Sequence, residues 1–196
     1  MQKFVMGLIA KSPYTPSKKT TELIIYISSK LKDKAHYSSI LLAKSLYLID
    51  SMSYFKKGKS ITDFKYIKQE RGPTPDPALF IPATEDLVTN GDLQKINADY
   101  FGGTQVKFIA SREPDIEVFE KDEIFLINDV LESISDQNGT EINDYTPQFI
   151  AWNFANHGEE LPFYTLLLTS KKPEAKDYEW AAKAVKSYEA SAKNAS

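Results

Sequence analysis

Positions 37 to 60 read YSSILLAKSLYLIDSMSYFKKGKS. Wound at 3.6 residues per turn, Leu41, Leu42, Leu46, Tyr47, Leu48, Ile49 and Met52 occupy almost the whole circumference of a helix. A surface helix is apolar on one stripe only. One that is apolar nearly all round must be covered on every side, so this segment predicts a central buried helix with the rest of the chain wrapped about it. Ser38 or Ser39 offers an N-cap, and Gly58 behind Lys56 and Lys57 offers a stop. Lys44 and Asp50 are the main polar intrusions. An unpaired buried charge is costly, so each must reach the rim or find a partner.

The segments on either side supply the wrapping. SKKTTELIIYISSKLKDKA, residues 17–35, predicts a helix capped by Ser17 or Thr20, with Leu23, Ile24, Ile27 and Leu31 on one stripe. SITDFKYIK, 60–68, alternates with Phe64 and Tyr66 on one face, which suits a short strand. It runs into QERGPTPDP. There Gly72 permits unusual backbone angles, while Pro73 and Pro75 fix φ and push the preceding residues toward extended geometry. This predicts a rigid corner that sends the chain away in one direction. PATEDLVTNG, 82–91, predicts a short helix ended by Gly91. DLQKINADYFGGTQVKFIAS, 92–111, predicts a hairpin around Gly102 and Gly103. EKDEIFLINDVLESISD, 120–136, is a clear helix with acids in its first turn. TPQFIAWNFANH and PFYTLLLTS predict helical pieces broken at Gly158 and Pro162. The expected fold is mainly α (α+β), a compact helical domain around a central buried helix with a small β-hairpin or sheet. It is expected to form one domain over 1–196, with its core over about 18–170 and a C-terminal helix and tail over 171–196.

Composition narrows the function. There is no cysteine, which removes disulfides, thiolate metal sites and cysteine nucleophiles. The net charge is −3 with mixed signs, so the basic face of a nucleic-acid binder is not expected. No apolar run reaches membrane-spanning length. MQKFVMGLIAKSP at the N-terminus has a short apolar stretch without a small-residue cleavage site, and reads as a packed segment rather than a signal peptide. The glycosylation-like NGT at 138–140 then reads as a turn. His36 and His157 are far apart in sequence, no glycine-rich elbow surrounds a serine, and no second histidine stands at helical spacing from His157. No catalytic residue, cofactor or metal site is therefore expected. The paired carboxylates of 120–123 and Glu159–Glu160 read as a helix start and a solvated loop, and Lys56, Lys57 and Lys59 as a helix terminus.

The central helix and the corner together resemble the signature of the Panacea-domain family, the SocA-like antitoxins of toxin–antitoxin systems. In LAKSLYLID the positions are Leu42, Lys44, Leu46, Tyr47 and Asp50. In ITDFKYIKQERGPTP they are Ile61, Thr62, Tyr66, Gly72, Pro73 and Pro75. FEKDEIFLINDVLESI is similar to the family's next helix, and NHGEELPFY, with His157 and Pro162, to its closing segment. Ser45 stands where a leucine is usual and Phe163 where a tryptophan is. Residues 78 to 118 carry no part of the signature. The resemblance implies a bacterial or phage protein that neutralises a cognate protein toxin by binding it in the cytoplasm, without chemistry of its own. One branch of the family delivers its toxin to a protease, and the small-residue tail after Tyr188 offers a handle for that. Binding to DNA would require a further domain that this chain does not display. A small hydrolase built on His157 is the competing expectation. For partner contact the candidates are Arg71, beside the corner, and Trp152, Phe163 and Tyr164, near the closing segment. Each of these aromatics reads first as a core residue and only second as an interface anchor.

Overall fold

The computed structural model describes residues 14–100, 103–135 and 150–168, and scattered helical positions between 175 and 185. The N-terminal segment 1–13, the NGT turn and the tail after Tyr188 lie outside them.

Helix α1 (Lys18–Leu31) starts where Ser17 Oγ accepts the Thr20 amide at 3.2 Å. Leu23, Ile24, Ile25 and Ile27 are fully buried on it. Helix α2 (Ser39–Lys57) starts at Ser38, whose hydroxyl accepts the Leu41 amide at 3.3 Å. It ends at Gly58, which takes the left-handed φ of 72° and donates its N–H to Tyr54. From Leu41 to Ile49 α2 is enclosed as the sequence requires: Leu42, Leu46 and Ile49 have no exposed surface. Its last turns emerge, leaving Met52 and Phe55 exposed. Helix α4 (Lys121–Ile134) packs beside α2. At one end Lys57 Nζ reaches Asp122 at 2.6 Å and Glu120 at 3.3 Å, and at the other His36 Nε2 meets the Ser135 carbonyl at 2.9 Å. The basic cluster at the end of α2 is thus matched to the acidic first turn of α4.

The corner is a hairpin. Strand β1 (Tyr66–Gln69) pairs antiparallel with β2 (Gly72–Pro75), in the register Tyr66↔Pro75, Ile67↔Thr74, Lys68↔Pro73, Gln69↔Gly72. Gly72 takes the positive φ that follows the two-residue turn, 111°. The prolines do not break the strand because of where they fall. Lys68 directs its N–H to Glu159 O (2.9 Å) and its C=O to Gly158 N (2.8 Å), and Tyr66 O accepts from Leu161 N (2.7 Å). The backbone groups of Tyr66 and Lys68 therefore face away from β2. Pro73 and Pro75, opposite them, occupy the non-bonded positions of the ladder, where no N–H is needed.

Helix α3 (Pro77–Thr89) begins earlier than the sequence suggests. Asp76 accepts the Ala78 amide at 2.9 Å, and Pro77 takes the first helical position, where its missing N–H costs nothing. The second hairpin joins β3 (Leu93–Tyr100) to β4 (Gly103–Ala110). Its base is anchored by buried Leu93 and Phe108, and Tyr37 Oη donates to the Phe108 carbonyl at 2.9 Å. Arg112 clamps the same end. It grips both oxygens of buried Glu22 at 2.9 and 2.8 Å and reaches Asp92 at 2.6 Å. Burial pushes the Glu22 carboxyl up, but the guanidinium and the Asp115 amide prevail and hold it below the usual range. Helix α5 (Ile150–Phe154) and a 3-10 turn over Phe163–Leu167 follow. The architecture is a mainly helical α+β arrangement with two small antiparallel sheets.

Candidate partner-binding surface

Three signature residues, Ile61, Thr62 and Tyr66, meet the carboxylate of a fourth, Asp50. Asp50 is fully buried. Its Oδ1 accepts the amides of Ile61 at 2.8 Å and Thr62 at 2.9 Å, and its Oδ2 accepts the Tyr66 hydroxyl at 2.7 Å and the Thr62 hydroxyl. Burial raises the Asp50 pKa while these donors oppose it, and burial with the nearby Asp50 charge raises that of Tyr66. The chain leaving α2 is thereby folded back and fixed at the start of β1. Tyr47 meets the Tyr66 ring edge-on, with centroids 5.2 Å apart. Ser45, the departure from leucine, is buried and returns its hydroxyl to the Leu41 carbonyl at 2.8 Å. Lys44 is buried too, and its pKa falls to about 8, first through burial and then through the repulsion of Arg71.

The closing segment completes this assembly. Residues 158–161 line the outer edge of β1, with Ile67 bridged to Glu160. Pro162 then opens the 3-10 turn, and Phe163 packs between Tyr54 (stacked, 5.4 Å) and Tyr66 (edge-on, 5.4 Å). Phe163 thus serves the core margin. Trp152 is half-buried beneath Lys68, whose ammonium stands 4.6 Å from the ring centre and donates to the Ala155 carbonyl at 2.9 Å. Tyr164 is 62% exposed, and Phe154, Leu167 and Leu168 are exposed in the same stretch, Phe154 to 84%. Helix α5 packs against the 3-10 turn, so these side chains belong to one region of surface. Arg71 is exposed at the tip of the β1–β2 turn.

His157 lies exposed in the turn before Gly158, which adopts φ 80°. Among the described residues no group of three or more His, Asp or Glu side chains is arranged to hold a metal. Among them, too, no helix is long and apolar enough to cross a membrane. The exposure of Leu167 and Leu168 was not foreseen. A run of three leucines carries no periodicity to separate a buried side from an open one; Leu166 is half-buried, Leu167 is exposed at the end of the 3-10 turn, and Leu168 is exposed in the extended cap that follows it.

A family model described as antitoxin SocA-like, Panacea domain, matches residues 42–153, more than half of the chain. It takes in both hairpins and the segment 78–118 that carries no part of the signature. No curated protein and no solved structure matches the chain.

Proposed function

The chain belongs to the SocA-like antitoxins of the Panacea-domain family, and from that premise we propose that it neutralises a cognate protein toxin by binding it through the surface around residues 154–168. The observation that carries this reading is the exposure of Phe154, Tyr164, Leu167 and Leu168 on a segment whose backbone is stitched to β1 and whose Phe163 is packed into the aromatic cluster. Large apolar side chains on a fixed mount lose little conformational freedom on binding, which is what an interface anchor requires. A stable neutralising complex would bury about 1,600 Å² in total, and this surface would form its centre. In this reading the protein acts in the cytoplasm and performs no chemistry.

Co-expression with the product of the adjacent gene is the test. That product is expected to be toxic alone and harmless beside this chain. The double variant Tyr164→Asp/Leu167→Asp is expected to lose neutralisation while its unfolding free energy changes by no more than about 0.5 kcal/mol, as for other exposed sites. A neighbour that is not toxic, or a double variant that still neutralises it, overturns the proposal. A hydrolase built on His157 would instead lose its activity in His157→Ala, a change that leaves neutralisation intact in the binding reading.

A further inference from the structure

The β3–β4 hairpin has an edge that the fold does not use. The ladder runs from Tyr100↔Gly103 to Leu93↔Ala110, and just beyond it Ser111 N donates to Asp92 O at 2.9 Å. The even-numbered residues of β3 thus direct their backbone groups toward β4, and the odd-numbered ones direct theirs outward. The outward groups of β4 are partly used, since the Phe108 carbonyl accepts from Tyr37. On β3 the N–H and C=O groups of Lys95, Asn97 and Asp99 meet no partner among the described residues. Gln94, Lys95, Ile96, Asn97 and Asp99 are all exposed. The edge carries no proline and no bulge, two of the devices that keep such edges from pairing.

Its side chains identify the occupant. Place a second β3 antiparallel to the first on a twofold axis through Asn97. Only outward-facing residues then meet at the bonded positions: Asn97 opposes the partner's Asn97, and Lys95 opposes the partner's Asp99 twice over. Directly opposed residues project on the same face of a sheet, so each lysine stands beside a carboxylate. Neither Lys95 nor Asp99 has an ion-pair partner among the described residues of its own chain. On the opposite face Ile96, 41% exposed, comes to lie against the partner's Ala98. The strand is complementary to itself in backbone, charge and apolar contact.

We propose that two copies of this chain join through their β3 edges, antiparallel about Asn97, to make one continuous four-stranded sheet. The contact is isologous and closes at two copies, because pairing consumes the free edge of both. It is small, below the roughly 1,200 Å² at which stable interfaces begin, so the dimer forms reversibly with concentration. The site is remote in sequence from the 154–168 surface, so its failure and that of the toxin-binding reading are separable.

Sedimentation velocity across a concentration series tests it. The wild type is expected to pass from monomer to dimer below about 1 mM, and a chain that stays monomeric throughout that range overturns the proposal. Asn97→Pro removes an outward N–H that the ladder does not need, and is expected to abolish the dimer. Lys95→Asp sets like charges opposite each other twice and is expected to weaken dimerisation by about tenfold or more. The exchange Lys95→Asp with Asp99→Lys in one chain is expected to restore it. Dimerisation unaffected by Lys95→Asp, or unrestored by the exchange, contradicts the register. Protection of β3 only when the neighbouring gene product is present would assign the edge to that partner and likewise overturn self-pairing.

Discussion

The two hairpins of this chain are each an antiparallel pair of strands adjacent in sequence, yet their edges meet opposite fates. In β1–β2 every edge is closed. Residues 158–161 cover one side, and Pro73 and Pro75 leave the other with no N–H to offer. In β3–β4 the base is clamped by Arg112, Phe108 and Leu93, while Lys95 to Asp99 stand open. The closed hairpin holds the signature residues of the family and is tied to the buried Asp50. The open one lies in the segment without signature residues. Closure goes with the part of the molecule that defines its fold, and openness with the part free to meet another chain.

The largest effect should come from cutting the closed hairpin loose. Asp50→Ala leaves the Ile61 and Thr62 amides and the Thr62 and Tyr66 hydroxyls without their acceptor in the core. A loss of about 4 kcal/mol in unfolding free energy is expected from denaturant titration. A loss under about 1 kcal/mol would mean that the carboxylate does not hold the corner.

The open hairpin should answer differently to proline at adjacent positions. Ile96→Pro removes an N–H that the ladder uses and is expected to cost about 3 kcal/mol, whereas Asn97→Pro removes an outward one and should cost under about 1 kcal/mol. Equal costs would break the assignment of inward and outward groups on β3. In the closed hairpin Gly72→Ala places a Cβ on a backbone with φ of 111° and is expected to cost about 1 to 2 kcal/mol by thermal unfolding. An unchanged melting temperature would show that the turn can relax.

The subtlest effect is a slope. Lys44 has its pKa lowered from 10.5 to about 8 in the folded chain, so its unfolded form binds a proton first as pH falls. Stability contributed by the neutral amine is complete above pH 10.5 and lost as pH falls through 8. Measured against Lys44→Met, the wild type should gain stability between pH 8 and 10.5 and show no further relative change below 8. A flat difference across that window would show that burial and Arg71 do not act on the lysine as described.

The features most legible in the sequence were those whose pattern is local. The all-round apolar run announced α2, Ser17 or Thr20 and Ser38 or Ser39 announced caps that fall at Ser17 and Ser38, and alternation about Gly102 announced the second hairpin. Strand β2 was hidden because proline reads as a strand breaker, and only the register shows that both prolines fall at positions where no N–H is missed. The start of α3 was hidden by two prolines, one of them Pro82 inside the helix. The bonds of Asp50 to Thr62 and Tyr66 span 12 and 16 residues, and no periodicity reports contacts of that kind. For the partner surface, residue types marked Tyr164 as an anchor, but only packing separates it from Phe163, its neighbour in sequence, which faces the core.

Residue-resolved hydrogen exchange on the dilute, monomeric protein tests the contrast between the hairpins most directly. The amides of Lys68, Gly158 and Leu161 should exchange near the rate of global unfolding. Along β3 exchange should alternate, with Gln94, Ile96 and Ala98 slow and Lys95, Asn97 and Asp99 fast. Uniform protection along β3, or amides at 158–161 that exchange as fast as those of Asn97, would contradict a molecule with one closed hairpin and one open.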